Sequence, residues 1–117
     1  MAQTQTVKLY KPLLIDSIKA QTDLPKQRFV GFGGSICAAG AKAFGVCDVE
    51  TEKDQFAPIA VNGILLVESG SAITQGAEVT SDNQGRAIAI TASEEVNGYA
   101  LDAATAAGEI IRTARGI

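Results

Sequence analysis

The residue types that carry most enzyme chemistry are scarce in this chain. It contains no histidine, which removes the commonest general base and the usual Ser-His and Cys-His nucleophile pairs. The same gap removes the ligand that most catalytic zinc sites use, and Cys37 and Cys47 alone cannot close a structural zinc site. Gly31-Phe32-Gly33-Gly34 superficially resembles a phosphate loop. It lacks the G-K-[ST] ending and precedes a strand pattern, so a hairpin turn is the better reading. Ser69-Gly70-Ser71 lacks the G-x-S-x-G pattern of a nucleophile elbow and reads as loop serine.

Asp48, Glu50, Glu52 and Asp54 alternate, so an extended chain sets them on one side, as oxygen ligands of a calcium ion would be. No glycine stands where a tight metal loop needs one, and a solvated acidic connection is the better reading. No catalytic, cofactor-binding or metal-binding residue is assigned, and no cofactor is expected. A small hydrolase working with carboxylates alone is a competing class, which a cleft with convergent carboxylates would favour.

The elements that position these residues read as strands. Apolar, β-branched runs cover residues 13–20, 28–32, 35–38, 43–47, 77–81 and 86–91, with Gly, Pro, Asn and Asp between them. Residues 56–61 and 64–67 are two strands, or one long strand broken at Asn62-Gly63, a dipeptide that signals a hairpin. Residues 72–76 fit one helical turn, capped by Ser71 and stopped by Gly76. The last stretch, 96–112, reads as strand, turn, strand around Asp102. A short helix is its alternative, since Leu101, Ala104, Gly108 and Ile111 share a helical face. The expected class is all-β, a small sandwich or barrel with little helix.

The chain also resembles itself. Residues 45–60 match 99–114 when Asp48 is set on Asp102, a shift of 54. Residues 24–30 match 73–79 at a shift of 49, which implies a five-residue insertion in the second copy. One supersecondary unit used twice accounts for this; chance similarity is the alternative.

With 117 residues, 46% hydrophobic and 20% charged, the chain is sized for one ordered domain. Aromatic residues make up 5%, so the core is expected from Ile, Leu, Val and Ala, with Phe29, Phe32, Phe44 and Phe56 as its largest pieces. Net charge is −3 and the sequence pI about 4.8, unlike the basic face of a nucleic-acid binder. No apolar run approaches the length of a membrane span, and no secretory signal is expected. The two cysteines are expected as free, buried thiols.

Residues 1–12 read as an N-terminal arm and 13–117 as the domain. The arm is too polar to fold alone, yet Val7, Leu9 and Tyr10 are apolar enough to meet a partner. They are the candidate partner-contact residues, through addition of the arm to a sheet edge.

Two motifs resemble a known family. The segment with Gly76, Val79, Ser81, Asp82, Gly85, Arg86 and Ala87 is followed by an ending with Gly98, Ala100-Leu101-Asp102-Ala103-Ala104, Ala106-Ala107-Gly108-Glu109, Ile111 and Arg112. Together they are similar to the capsid cement, or decoration, proteins of tailed bacteriophages, over roughly residues 15–114. The resemblance implies a β-rich structural protein of the virion, made in the host cytoplasm, that binds the outer capsid surface and stabilises the shell. It implies the major capsid protein as partner, a homo-oligomer, and no enzymatic activity. A small β-module binding a ligand or peptide in another phage or cell-surface assembly is the alternative, which a deep apolar pocket would favour.

Overall fold

A computed structural model describes residues 9–116. Its eight strands are β1 (Lys11–Lys19), β2 (Phe29–Val30), β3 (Gly45–Cys47), β4 (Phe56–Glu68), β5 (Glu78–Ser81), β6 (Ala87–Ala89), β7 (Gly98–Ala100) and β8 (Ile110–Arg115). They form one antiparallel sheet in the order β2-β3-β4-β8-β7-β5-β6, with β1 paired to β4 off this path. The class is all-β, as the turn-punctuated β-branched runs require. The described residues include no helix: at 72–76, Ile73 makes an isolated bridge to Ala104 and Gly76 turns the chain at φ 87°. Residues 35–38 shrink to one bridge, Ile36 to Val30.

The chain is built on β4. Its Asn62-Gly63 pair is not a hairpin; the strand runs through it for 13 residues. Gly63 has φ 106°, and a Cβ there would sit 2.5 Å from the Lys11 carbonyl and 2.8 Å from the Leu13 nitrogen. This is a bulge, where an extra residue switches which side chains face which side. Before it, Ala57 and Ile59 face a small core with Ala20, Leu24, Val30 and Cys47. After it, Leu65 and Val67 join the larger core with Phe29, Val46, Ile73, Val79, Ala100 and Ile111. Ala60 and Ile59 each pair with β1 on one edge and β3 on the other. Ile64 pairs with β1 and β8.

The internal repeat is real. The pair Phe29↔Val46 recurs as Glu78↔Tyr99, shifted by 49 and 53 residues. The two-way bridge Leu24↔Thr51 recurs as Ile73↔Ala104. The bond from Gln21 N to Gly34 O recurs as Gly70 N to Ala87 O. The bond from Asp54 N to Ala20 O recurs as Gly108 N to Ser69 O, now shifted by 54 and 49. Two left-handed residues are matched by glycines: Gln27 (φ 64°) by Gly76 (φ 87°), and Asp54 (φ 72°) by Gly108 (φ 90°). One unit is therefore β1-β2-β3 and the first half of β4. The other is the second half of β4 with β5, β7 and β8. The expected alignment is corrected by one residue in the connection: Asp48 N bonds Pro58 O as Leu101 N bonds Arg112 O, so Asp48 matches Leu101 rather than Asp102. The insertion is four residues between the second and third strands, and one more before Asp54.

The expected aromatic core is also corrected. Phe29 alone of the four phenylalanines is fully buried, while Phe32 and Phe56 are 66% and 70% exposed. Phe32 lies in the loop after β2, and Phe56 stands opposite Lys19 at the end of the β1–β4 ribbon, where no second layer covers it. Phe44 is half-buried and packs at 5.7 Å from Phe32. Cys37 and Cys47 are free and buried, one in each core, and burial pushes both thiols up from their ordinary range.

Candidate functional site

The residues of the two motifs are spent on architecture. Asp102 grips Arg112: one carboxylate oxygen accepts from its backbone N–H at 2.9 Å and from Nε at 3.1 Å, the other from Nη2 at 2.9 Å. That clamp closes residues 102–112 into a loop. Inside it, the Glu109 carboxylate accepts from Thr105 N and Ala106 N, and the Ser69 hydroxyl donates to Ala106 O. Ala104 is buried and bridges Ile73. In the first motif, Asp82 accepts from the backbone of Gln84 and Arg86 and from Arg86 Nε at 3.1 Å. Gly85 (φ 76°) leaves no room for a Cβ, which would lie 2.8 Å from Phe29 O. Arg28, held by Glu68 at 3.3 Å and by Gln84 O at 3.1 Å, ties this turn to the first unit. Such charge-assisted, partly buried bonds fix turns.

The acidic connection is likewise a turn. Thr51 pairs with Leu24, and the Asp23 carboxylate accepts from Lys53 N at 2.9 Å. A shallow cleft of about 470 Å³ lies beside it, lined by Asp23, Leu24, Pro25, Glu50, Thr51 and Glu52. Among the described residues, no group of three His, Cys, Asp or Glu is placed to hold a metal ion.

What stands out is apolar surface on β1. The strand is exposed along almost its whole length, with Pro12 and Ile18 half-buried. Leu13, Leu14 and Ile15 are 76%, 51% and 48% exposed. Of the candidate contact residues, Val7 lies outside the described residues. Leu9 is 75% exposed, and Tyr10 lies beside it with its hydroxyl 3.3 Å from the Asp48 carboxylate. That hydrogen bond to an anion pushes the phenol up from its ordinary range.

Sequence reasoning placed a strand here but could not see that it faces outward. Three consecutive aliphatics read as core, and the opposing signal was only the polar company they keep: Lys11, Asp16, Ser17 and Lys19.

Among the described residues, the outer edge of β1 is open as well. Ala20 N donates inward to Gln55 O, and Gln21 N donates outward to Gly34 O. Strand alternation then turns the N–H groups of Ile15, Ser17 and Lys19 outward. The Ser17 N–H is taken by the neighbouring Asp16 carboxylate at 2.9 Å. By contrast, both ends of the strand path are closed: β2 by Cys37 N to Phe29 O and Phe29 N to Gly85 O, β6 by Gly70 N to Ala87 O.

The crystal structure of the head fiber gp8.5 N base of bacteriophage phi29 superposes with a TM-score of 0.72, covering 88% of this chain and 93% of that one at 18% identity. At that identity the likeness is one of fold. No curated protein matches the chain. The family model described as phage cement protein matches residues 11–115, from the first residue of β1 to the last of β8. The chain belongs to the phage cement protein family.

Proposed function

We propose that this protein is a non-enzymatic structural component of a phage capsid, and that it binds the outer surface of the shell and stabilises it. The observation that carries the reading is an edge strand whose apolar side chains are exposed and whose outer edge, among the described residues, meets no other strand, in a chain of the phage cement protein family. A lone soluble domain gains nothing from an open edge, which templates unwanted pairing. A protein that functions in an assembly can leave one for its partner. The N-terminal arm reaches a partner in that assembly through Val7, Leu9 and Tyr10, either the next copy of this chain or the major capsid protein. Ordering the arm on a partner would cost chain entropy, which contacts in the assembly would recover. Modest contacts suffice, because copies repeated over a shell act together.

The test is co-sedimentation with capsids that lack cement protein. Saturable binding is expected, and deletion of residues 1–10 should weaken it while the thermal melt of the domain stays in place. No binding by the full chain refutes the capsid reading. Unimpaired binding by the truncated chain refutes the role of the arm.

A further inference from the structure

We infer that the open edge of β1 pairs with β1 of a second copy of this chain, antiparallel and about a two-fold axis, with Lys11 opposite the partner's Asp16. A two-fold pairing brings one patch against itself, so the strand must be self-complementary. Charge selects the register. Centred on Asp16, the pairing would set that carboxylate against its own copy. Centred on Ile15, it would set Lys11 against the partner's Lys19. Both are penalised, since like charges directly opposite are destabilising.

Centred between Leu13 and Leu14, the pairing sets Lys11 opposite the partner's Asp16 and Leu13 opposite the partner's Leu14. Leu9 falls opposite the partner's Ile18, and each contact occurs twice. The backbone allows this register. Lys11 faces inward to its pair with Ile64, and Asp16 inward to Ile59. Two inward residues form the close, non-hydrogen-bonded kind of pair, which brings side chains together. The odd parity between the two arises at the register shifts between Pro12 and Ile15. Asp16 would then exchange the Ser17 N–H for a lysine, and Ser17 N–H would be free to bond the second copy.

This inference deepens the reading of a capsid protein by naming its self-contact, and its test uses no capsid, so the two can fail separately. The mass of the full chain is measured by sedimentation equilibrium over a concentration series. The wild type should reach the mass of a dimer or a dimer-based assembly. Asp16→Lys should shift it to monomer, and Lys11→Asp with Asp16→Lys should bring association back. All these side chains are exposed, and circular dichroism checks that each variant is folded. Amide exchange at Ile15 and Ser17 should slow as the protein associates. A wild type that is monomeric throughout, a trimer, an Asp16→Lys variant that associates like the wild type, or a charge-swapped variant that stays monomeric each overturns the pairing.

Discussion

The first strands of the two units occupy equivalent places, yet only one is buried. Ile15 to Lys19 in β1 match Ile64 to Glu68 in β4 at the 49-residue shift. In β4 the run is Ile-Leu-Leu-Val-Glu, with Leu65 and Val67 at 1% and 0% exposure. In β1 it is Ile-Asp-Ser-Ile-Lys, with Asp16 in the place of Leu65. The copy in β4 pairs with β8 along its whole length, and its other edge meets Lys11 at Ile64 and the Gln27 carbonyl, which accepts from Glu68 N, at its end. The copy in β1 is preceded by the arm. Among the described residues no strand lies along the outer edge of β1, and this chain has dressed that strand with both charges and aliphatics instead of closing it.

The connections repeat the contrast. Residues 48–54 are acidic, and residues 103–108 are small and neutral, held by the Asp102–Arg112 clamp. At the end of each loop the backbone is left-handed, at Asp54 in one and Gly108 in the other.

The comparison can be broken most severely in the buried strands. Ile111→Ala removes a side chain at 1% exposure and should cost about 2–5 kcal/mol in denaturant unfolding. Leu101→Ala, whose side chain is half-buried, should cost clearly less; equal losses would mean that Leu101 belongs to the core. Next comes the clamp. Asp102→Ala strips three hydrogen bonds from Arg112, whose side chain is 40% exposed, and a lowered melting temperature, by less than for Ile111→Ala, is expected. An unchanged melting temperature would show that the loop holds its shape without it.

The left-handed turn offers a reciprocal pair of changes. Gly108→Ala should destabilise by about 1–2 kcal/mol, because a Cβ is strained at that φ. Asp54→Gly should stabilise slightly or leave the melt unmoved, since glycine adopts φ 72° freely. A loss at Asp54 as large as that at Gly108 would show that the aspartate side chain has its own structural role.

The smallest effect on the fold is expected at β1. Leu13→Ser should stay within about 0.5 kcal/mol, as exposed sites do, while weakening association in sedimentation. A large stability loss would place Leu13 in the core and remove the contrast between the two strands.

Much of this was legible in the sequence. Strand class followed from β-branched runs between glycine turns, because those residues suit a pleated surface wherever the strand ends up. The repeat was legible to within one residue, since units with the same backbone bonds keep their apolar positions. The turn after Asp102 was legible as a small-residue break between two apolar runs, but the clamp from Asp102 to Arg112 was not, since it needs the second run folded back beside the first. What the sequence could not decide was which apolar residues face water. Phe32, Phe56, Leu13 and Leu14 have the composition of core, and burial depends on whether another layer lies across them. Nor could it show that Asn62-Gly63 continues a strand. A hairpin and a bulge ask for the same left-handed backbone; β1 packed against Gly63 and β8 paired to the residues beyond it decided for the bulge. Local chemistry set the elements, and only the tertiary pairing determined which edge was left without a neighbour.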